Sequence, residues 1–84
     1  MSWFVYMLRC ADGTLYTGST NDVEGRLHAH NHLKTGAKYT RARRPVELVY
    51  REEVDSRGAA QKREAEIKGM TRGEKLNLTG RASS

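Results

Sequence analysis

The tetrapeptide Cys10-Ala11-Asp12-Gly13 constrains this chain more than any other stretch. It lies between two runs, WFVYMLRC at 3–10 and TLYTGS at 14–19, that are rich in β-branched and aromatic residues and read as strands. A type I turn over the four residues, with Gly13 left-handed, closes a three-residue hairpin loop. Cys10 then faces Thr14, Leu8 faces Tyr16 and Tyr6 faces Gly18. Side chains alternate across a strand, so Tyr6 and Tyr16 come to one face of the sheet. A two- or four-residue loop would part them. Whether the two phenols serve a core or a reaction stays open at this level, because a strand tyrosine with a satisfied hydroxyl is an ordinary core residue.

Beyond the hairpin, Asn21 is placed to cap a helix over 22–32, with Asp22 and Glu24 suiting its positive end. Val23, Leu27 and His30 fall at helical spacing, while Gly25 weakens the helix by up to ~1 kcal/mol relative to alanine. KTGAKYTRARRP follows as a basic, glycine-containing connector ending at Pro45, and VELVYREEV over 46–54 alternates as a third strand. Asp55 or Ser56 caps the next helix, on which Ala60, Glu64, Ile67 and Lys68 cluster, and Gly69 ends it. Thr71 and Glu74 have capping-box spacing for a last helix over 72–79, expected to bury Leu76 and Leu78. Residues 80–84 read as a frayed, flexible tail. The order ββαβαα is an α+β fold, a three-stranded antiparallel sheet flanked by helices. With 84 residues there is room for one core, hence a single domain over 1–79.

Fifteen lysines and arginines against ten acidic residues give a net charge of +5, which suits a polyanionic partner such as nucleic acid. Cys10 is the only cysteine, which excludes an internal disulfide and a thiolate zinc site. No leader-like segment opens the chain and no apolar run approaches the ~18 residues of a membrane helix, so a soluble cytoplasmic protein is expected. His28 and His32 share a helical face, His30 points about 200° away from His28, and a third metal ligand is lacking nearby. Glu64 and Glu66 likewise point apart, so they form no acid/base pair. Arg26 and His30, four apart, do share a face. If that face borders the hairpin tyrosines, four polar groups converge beside Glu64.

Four short segments, in this order, carry a resemblance: Phe4-Val5-Tyr6, Tyr16-Thr17-Gly18, RLHAH with Arg26 and His30, and REAEIK with Glu64. Together with GAKYTRARRPVELVY over 36–50, they make residues 3–78 resemble the GIY-YIG endonuclease superfamily, particularly its small stand-alone bacterial, excinuclease-like members. The resemblance implies hydrolysis of a DNA phosphodiester with one divalent ion, Mg²⁺ or Mn²⁺, in repair or recombination. Glu64 would anchor the ion, and a hard cation needs little more than one carboxylate beside a substrate phosphate. Arg26 would hold the phosphate, Tyr6 would act as general base, and Tyr16 and His30 would position water or phosphate. Gly18 is structural in this scheme, and Tyr39 and Thr40 are further candidates. A phenol of pKa ~10 requires nearby cations to serve as a base, and Arg26, the metal and Lys38 are the evident means.

The chain departs from the family's pattern at Phe4, which replaces the first glycine, and at Gly25, where a charged residue often precedes the arginine. Larger members carry separate DNA-targeting domains, and 84 residues are expected to leave no room for one. Affinity would come from Lys34, Lys38, Arg41, Arg43, Arg44, Lys62, Arg63 and Lys68, so that binding is weak, salt-sensitive and not sequence-specific, or is directed by a partner protein. A monomer is expected. The competing readings are a nucleic-acid-binding module with a vestigial site and a plain interaction domain.

Overall fold

The computed structural model describes residues 2–83, with side chains as far as residue 80. Strand β1 (Trp3–Arg9) is the centre of a three-stranded antiparallel sheet, with β2 (Leu15–Thr20) on one side and β3 (Glu47–Val54) on the other. The hairpin has the register expected from its turn: Leu8 faces Tyr16 and Tyr6 faces Gly18. Gly13 sits at φ +84°, its N–H donates to Cys10 O at 2.9 Å, and Cys10 N–H donates to Thr14 O at 2.8 Å. Asp12 steadies the loop by accepting from Thr14 N–H and from the Thr14 hydroxyl.

Because β1 is central, it is buried on both faces, and alternation assigns its residues to two cores. Val5 and Met7 pack with Ala60 and Ile67 of α3 (Arg57–Lys68), joined by Leu78 of α4 (Arg72–Ser83). Tyr6, Leu8 and Cys10 face the opposite layer, with Val46 and with Leu27 of α1 (Val23–His32). The sheet is therefore sandwiched, with α1 on the tyrosine face and α3 and α4 on the other. No helix among the described residues is long and apolar enough to cross a membrane.

Several helix ends differ from the sequence expectation. The cap of α1 is Asp22, whose Oδ1 accepts Gly25 N–H at 3.1 Å; Asn21 does not serve. Strand β2 runs on to Thr20, whose hydroxyl oxygen accepts Asp22 N–H, and this moves the helix start by one residue. A Cβ on Gly25 would lie 2.2 Å from Asp22 Oδ2, so the residue that weakens the helix also leaves room for its cap. What the sequence reads only as a basic, glycine-containing connector contains a four-residue helix, α2 (Lys38–Arg41).

Ser56 caps α3 by accepting Ala59 N–H, which decides between the two candidates, and Gly69 is the C-cap. The Thr71–Glu74 capping box forms in both directions, at 2.9 and 3.2 Å. Helix α4 continues to Ser83 instead of stopping near 79, so part of the expected tail is helical; residue 84 lies outside the described residues. Leu78 packs on the core as anticipated, but Leu76 remains 44% exposed, because only one stripe of α4 meets β3.

Candidate active site

On the α1 side of the sheet, Tyr6 projects from β1, Tyr16 from β2, and Arg26 and His30 from α1, and the four come together. The Tyr6 and Tyr16 ring centroids are 6.4 Å apart, and His30 lies 5.9 Å from Tyr6 and 5.0 Å, edge-on, from Tyr16. Gly18 makes this approach sterically feasible. A Cβ there would fall 2.6 Å from the Tyr6 hydroxyl and 3.1 Å from the Tyr16 ring.

Tyr6 and His30 are both buried, and the Tyr6 hydroxyl is 2.8 Å from His30 Nε2. Counting hydroxyl protons assigns the direction of this bond. The Thr40 hydroxyl donates to Ala37 O at 2.9 Å, so its oxygen, 2.7 Å from His30 Nδ1, accepts a proton from that nitrogen. Nε2 is then the acceptor for Tyr6 O–H. The result is a chain from Tyr6 through His30 and Thr40 to the Ala37 carbonyl. Ala37 N–H also points toward Nδ1, but at 3.4 Å it is the weaker arrangement.

The electrostatics of this chain are set mainly by burial. Desolvation, reinforced by the charges of Arg26 and Arg44, pulls the His30 pKa down to about 4, so the imidazole is neutral at physiological pH. Desolvation also pushes the Tyr6 phenol up to about 12, with help from Tyr16. Arg26, beside the phenol, pulls the other way, as the sequence reading anticipated, but burial outweighs it. Tyr6 therefore keeps its proton at neutral pH. Arg26 also donates to Thr35 O at 3.2 Å, which pins its guanidinium beside the connector.

Glu64 reaches the site from the other layer. It stands on α3 beside the edge strand β2, where its Oε1 accepts the Ser19 hydroxyl proton at 2.7 Å and its Oε2 lies 2.6 Å from Lys68 Nζ. Its carboxylate makes no hydrogen bond to the tyrosine–histidine cluster, although its charge is felt at Tyr6. Among the described residues no group of three His, Cys, Asp or Glu side chains could cage an ion. One half-buried carboxylate with a neighbouring hydroxyl suits a hard cation that keeps its waters and leans on a substrate phosphate. His28 and His32 pair at 4.9 Å on the exposed side of α1, away from this centre.

The eight cations expected to bind nucleic acid separate into two sets. Lys34, Lys38, Arg41 and Lys62 are exposed. The other four hold partners of their own, Lys68 while still exposed. Arg43 pairs with Asp12 at 3.1 Å and lies over the Tyr39 ring. Arg44 donates to the carbonyls of Ala29, His30 and Leu33 at the end of α1. Arg63 pairs with Glu52 and Glu66, and Lys68 with Glu64. Sequence reasoning did not find Ser19 on Glu64, the role of Arg44, or Gly36, where a Cβ would lie 2.5 Å from Ala29 O. Each depends on a distant partner and has no local signature.

With this fold and arrangement in view, the chain belongs to the GIY-YIG family: the family model for the GIY-YIG catalytic domain, the domain of a nuclease superfamily, matches residues 2–77. It is similar to a UPF0213 protein of Syntrophus aciditrophicus, 59% identical over 75 residues that cover 89% of this chain and 86% of the relative. The solution structure of the UPF0213 protein BH0048 from Bacillus halodurans shares 41% identity at a TM-score of 0.60, covering 95% of this chain and 84% of that one. That of EF2693 from E. faecalis shares 38% at 0.64, covering 100% and 90%.

Proposed function

We propose that this protein is a divalent-metal-dependent endonuclease that hydrolyses DNA phosphodiester bonds without strong sequence preference, in repair or recombination. The observation that carries the reading is the convergence of Tyr6, Tyr16, Arg26 and His30 on one sheet face beside β2, with Glu64 across that strand. Arg26 holds the scissile phosphate and offsets the charge that develops on it. Tyr6 relays a proton: its oxygen takes one from the attacking water while its own passes to His30 Nε2, 2.8 Å away. The hydroxide so formed attacks phosphorus, and the leaving oxygen takes its proton from solvent. This relay suits a phenol that holds its proton to about pH 12 better than a standing phenolate would. His30 gains a positive charge in the step, and the phosphate brought by the substrate supplies the counter-charge. Tyr16 packs edge-on against His30 and keeps the imidazole aligned. Glu64 is the residue that would hold Mg²⁺ or Mn²⁺, which when bound polarises the phosphoryl oxygens and stabilises the leaving oxygen.

Cleavage of plasmid, flap, junction and single-stranded DNA with Mn²⁺, with and without EDTA, tests the reading. Glu64→Ala and Arg26→Ala are expected to lower the rate at least 10²-fold, about the size of losing one transition-state donor. Unchanged rates would refute it. A second reading, a binding module without turnover, is favoured by one observation: both Glu64 oxygens already have partners. It requires DNA binding with no cleavage by the wild-type protein.

A further inference from the structure

Beside Tyr16, on the outer edge of β2, lies a pocket of about 220 Å³ that the reaction described above does not use. Leu15, Tyr16 and Thr17 of β2 line it with Tyr39 of α2, Lys68 of α3 and Lys75 of α4. Four elements from both layers of the fold therefore meet around it, and its walls have two chemical characters. One is aromatic. The Tyr39 and Tyr16 rings are stacked with centroids 6.2 Å apart at 28°. The other is cationic, supplied by the two lysines.

Tyr39 itself is 38% exposed, a high value for a tyrosine held this firmly. Arg43 lies over its ring at 3.9 Å, tied in place by Asp12 and by the Tyr39 carbonyl. An aromatic side chain braced by neighbours and still open to solvent loses little freedom when a flat ligand stacks on it. Lys75 has no carboxylate within ion-pair distance among the described residues, so its ammonium is available to an anion. Lys68 connects the pocket to the reaction centre through Glu64, 2.6 Å away.

The geometry points to a nucleotide subsite: the pocket takes the base of an unpaired nucleotide adjoining the scissile phosphate, against the Tyr16 and Tyr39 rings, while Lys68 and Lys75 meet its flanking phosphates. A base can enter such a pocket only when it is not stacked in a duplex, so the site selects single-stranded or frayed substrate. This rests on the nuclease reading for its location beside a scissile bond, but stacking of the base can be measured without cleavage.

The probe is a single-stranded hexanucleotide carrying one 2-aminopurine, bound to the full chain in EDTA, with the same sequence in a hairpin duplex as comparison. Stacking is expected to quench the 2-aminopurine fluorescence on binding of the single strand and to leave it unchanged for the duplex. Tyr39→Leu, which keeps bulk and removes the π face, is expected to abolish the quenching and weaken binding roughly tenfold, within the range for one base–aromatic stack. Lys75→Gln is expected to weaken binding about two- to threefold and to leave the quenching at saturation intact. Far-UV circular dichroism on both variants establishes that they fold. Equal affinity of wild type and Tyr39→Leu for the single strand, or no preference for it over the duplex, overturns the proposal. If Mn²⁺-dependent cleavage that requires Glu64 persists in that case, the nuclease reading stands alone. If quenching depends on Tyr39 but cleavage is absent, the subsite stands and hydrolysis falls.

Discussion

His30 sits between a buried phenol and a buried hydroxyl, with two arginines near it, and its resistance to protonation is measurable. An unfolded imidazole titrates near 6.5 and this one at about 4. Between those values the unfolded chain binds a proton that the folded chain does not, so stability must fall as pH drops through that window. The loss should reach roughly 3 kcal/mol by pH 4 and level off below it. Asp12, Glu24 and Glu74, whose carboxyls are held low by hydrogen bonds, add their own loss only in the carboxylate range. Denaturant unfolding from pH 7 to 5 therefore reports His30, and His30→Gln should flatten that limb. An equally steep limb in the variant would show that the burial argument is wrong. The pairing of Tyr6 with Tyr16 was legible in the sequence, because one turn sets the register and alternation does the rest. The direction of the Tyr6 shift was not. It depends on how deeply α1 covers the phenol, and no spacing along the chain carries that information.

At the scale of elements, the site depends on where α1 lies, and two residues of the connector hold it there. Gly36 passes so close to the helix that a Cβ would lie 2.5 Å from Ala29 O and 2.8 Å from His30 Cα. Backbone atoms cannot swing aside as a side chain can, so Gly36→Ala must push connector and helix apart. It should cost about 1–3 kcal/mol, the usual penalty of overpacking. It should also lower cleavage by more than the stability loss explains, since His30 is the residue displaced. Thermal unfolding and a single-turnover rate measured well below the melting temperature separate the two effects. A variant with wild-type stability and rate would remove Gly36 from this role. Arg44 contributes from the other side by satisfying carbonyls at the end of α1. In the sequence it was one more cation beside Arg43. Helix starts announced by Ser56 or by Thr71 and Glu74 were readable because cap and partner lie three residues apart; Arg44 and Ala29 are fifteen apart.

Across the whole molecule, the basic excess is less available than its count implies. Of the eight cations the sequence offered for DNA, Arg43, Arg44, Arg63 and the exposed Lys68 already hold carboxylates or carbonyls, and Lys34, Lys38, Arg41 and Lys62 are exposed with no ion-pair partner among the described residues. Composition could report the charge but not its commitments: the Asp12–Arg43 and Glu52–Arg63 pairs appear only when the fold brings distant residues together, and the Glu64–Lys68 pair when α3 forms. The difference has a thermodynamic signature. Each phosphate neutralised on duplex DNA releases counterions and adds about −0.9 to the slope of log affinity against log salt. Four contacts give a slope of about −3.6, and eight would give about −7. Between 50 and 200 mM salt the first predicts a loss of roughly 10²-fold and the second one of roughly 10⁴-fold. Fluorescence anisotropy with a short duplex in EDTA, repeated across that range, measures the slope without cleavage. A value near −7 would mean that the internal ion pairs open on binding and that the folded surface is not the one DNA meets. A value near −3.6 that drops by about one in Lys38→Gln would identify the exposed set as the surface that carries duplex affinity.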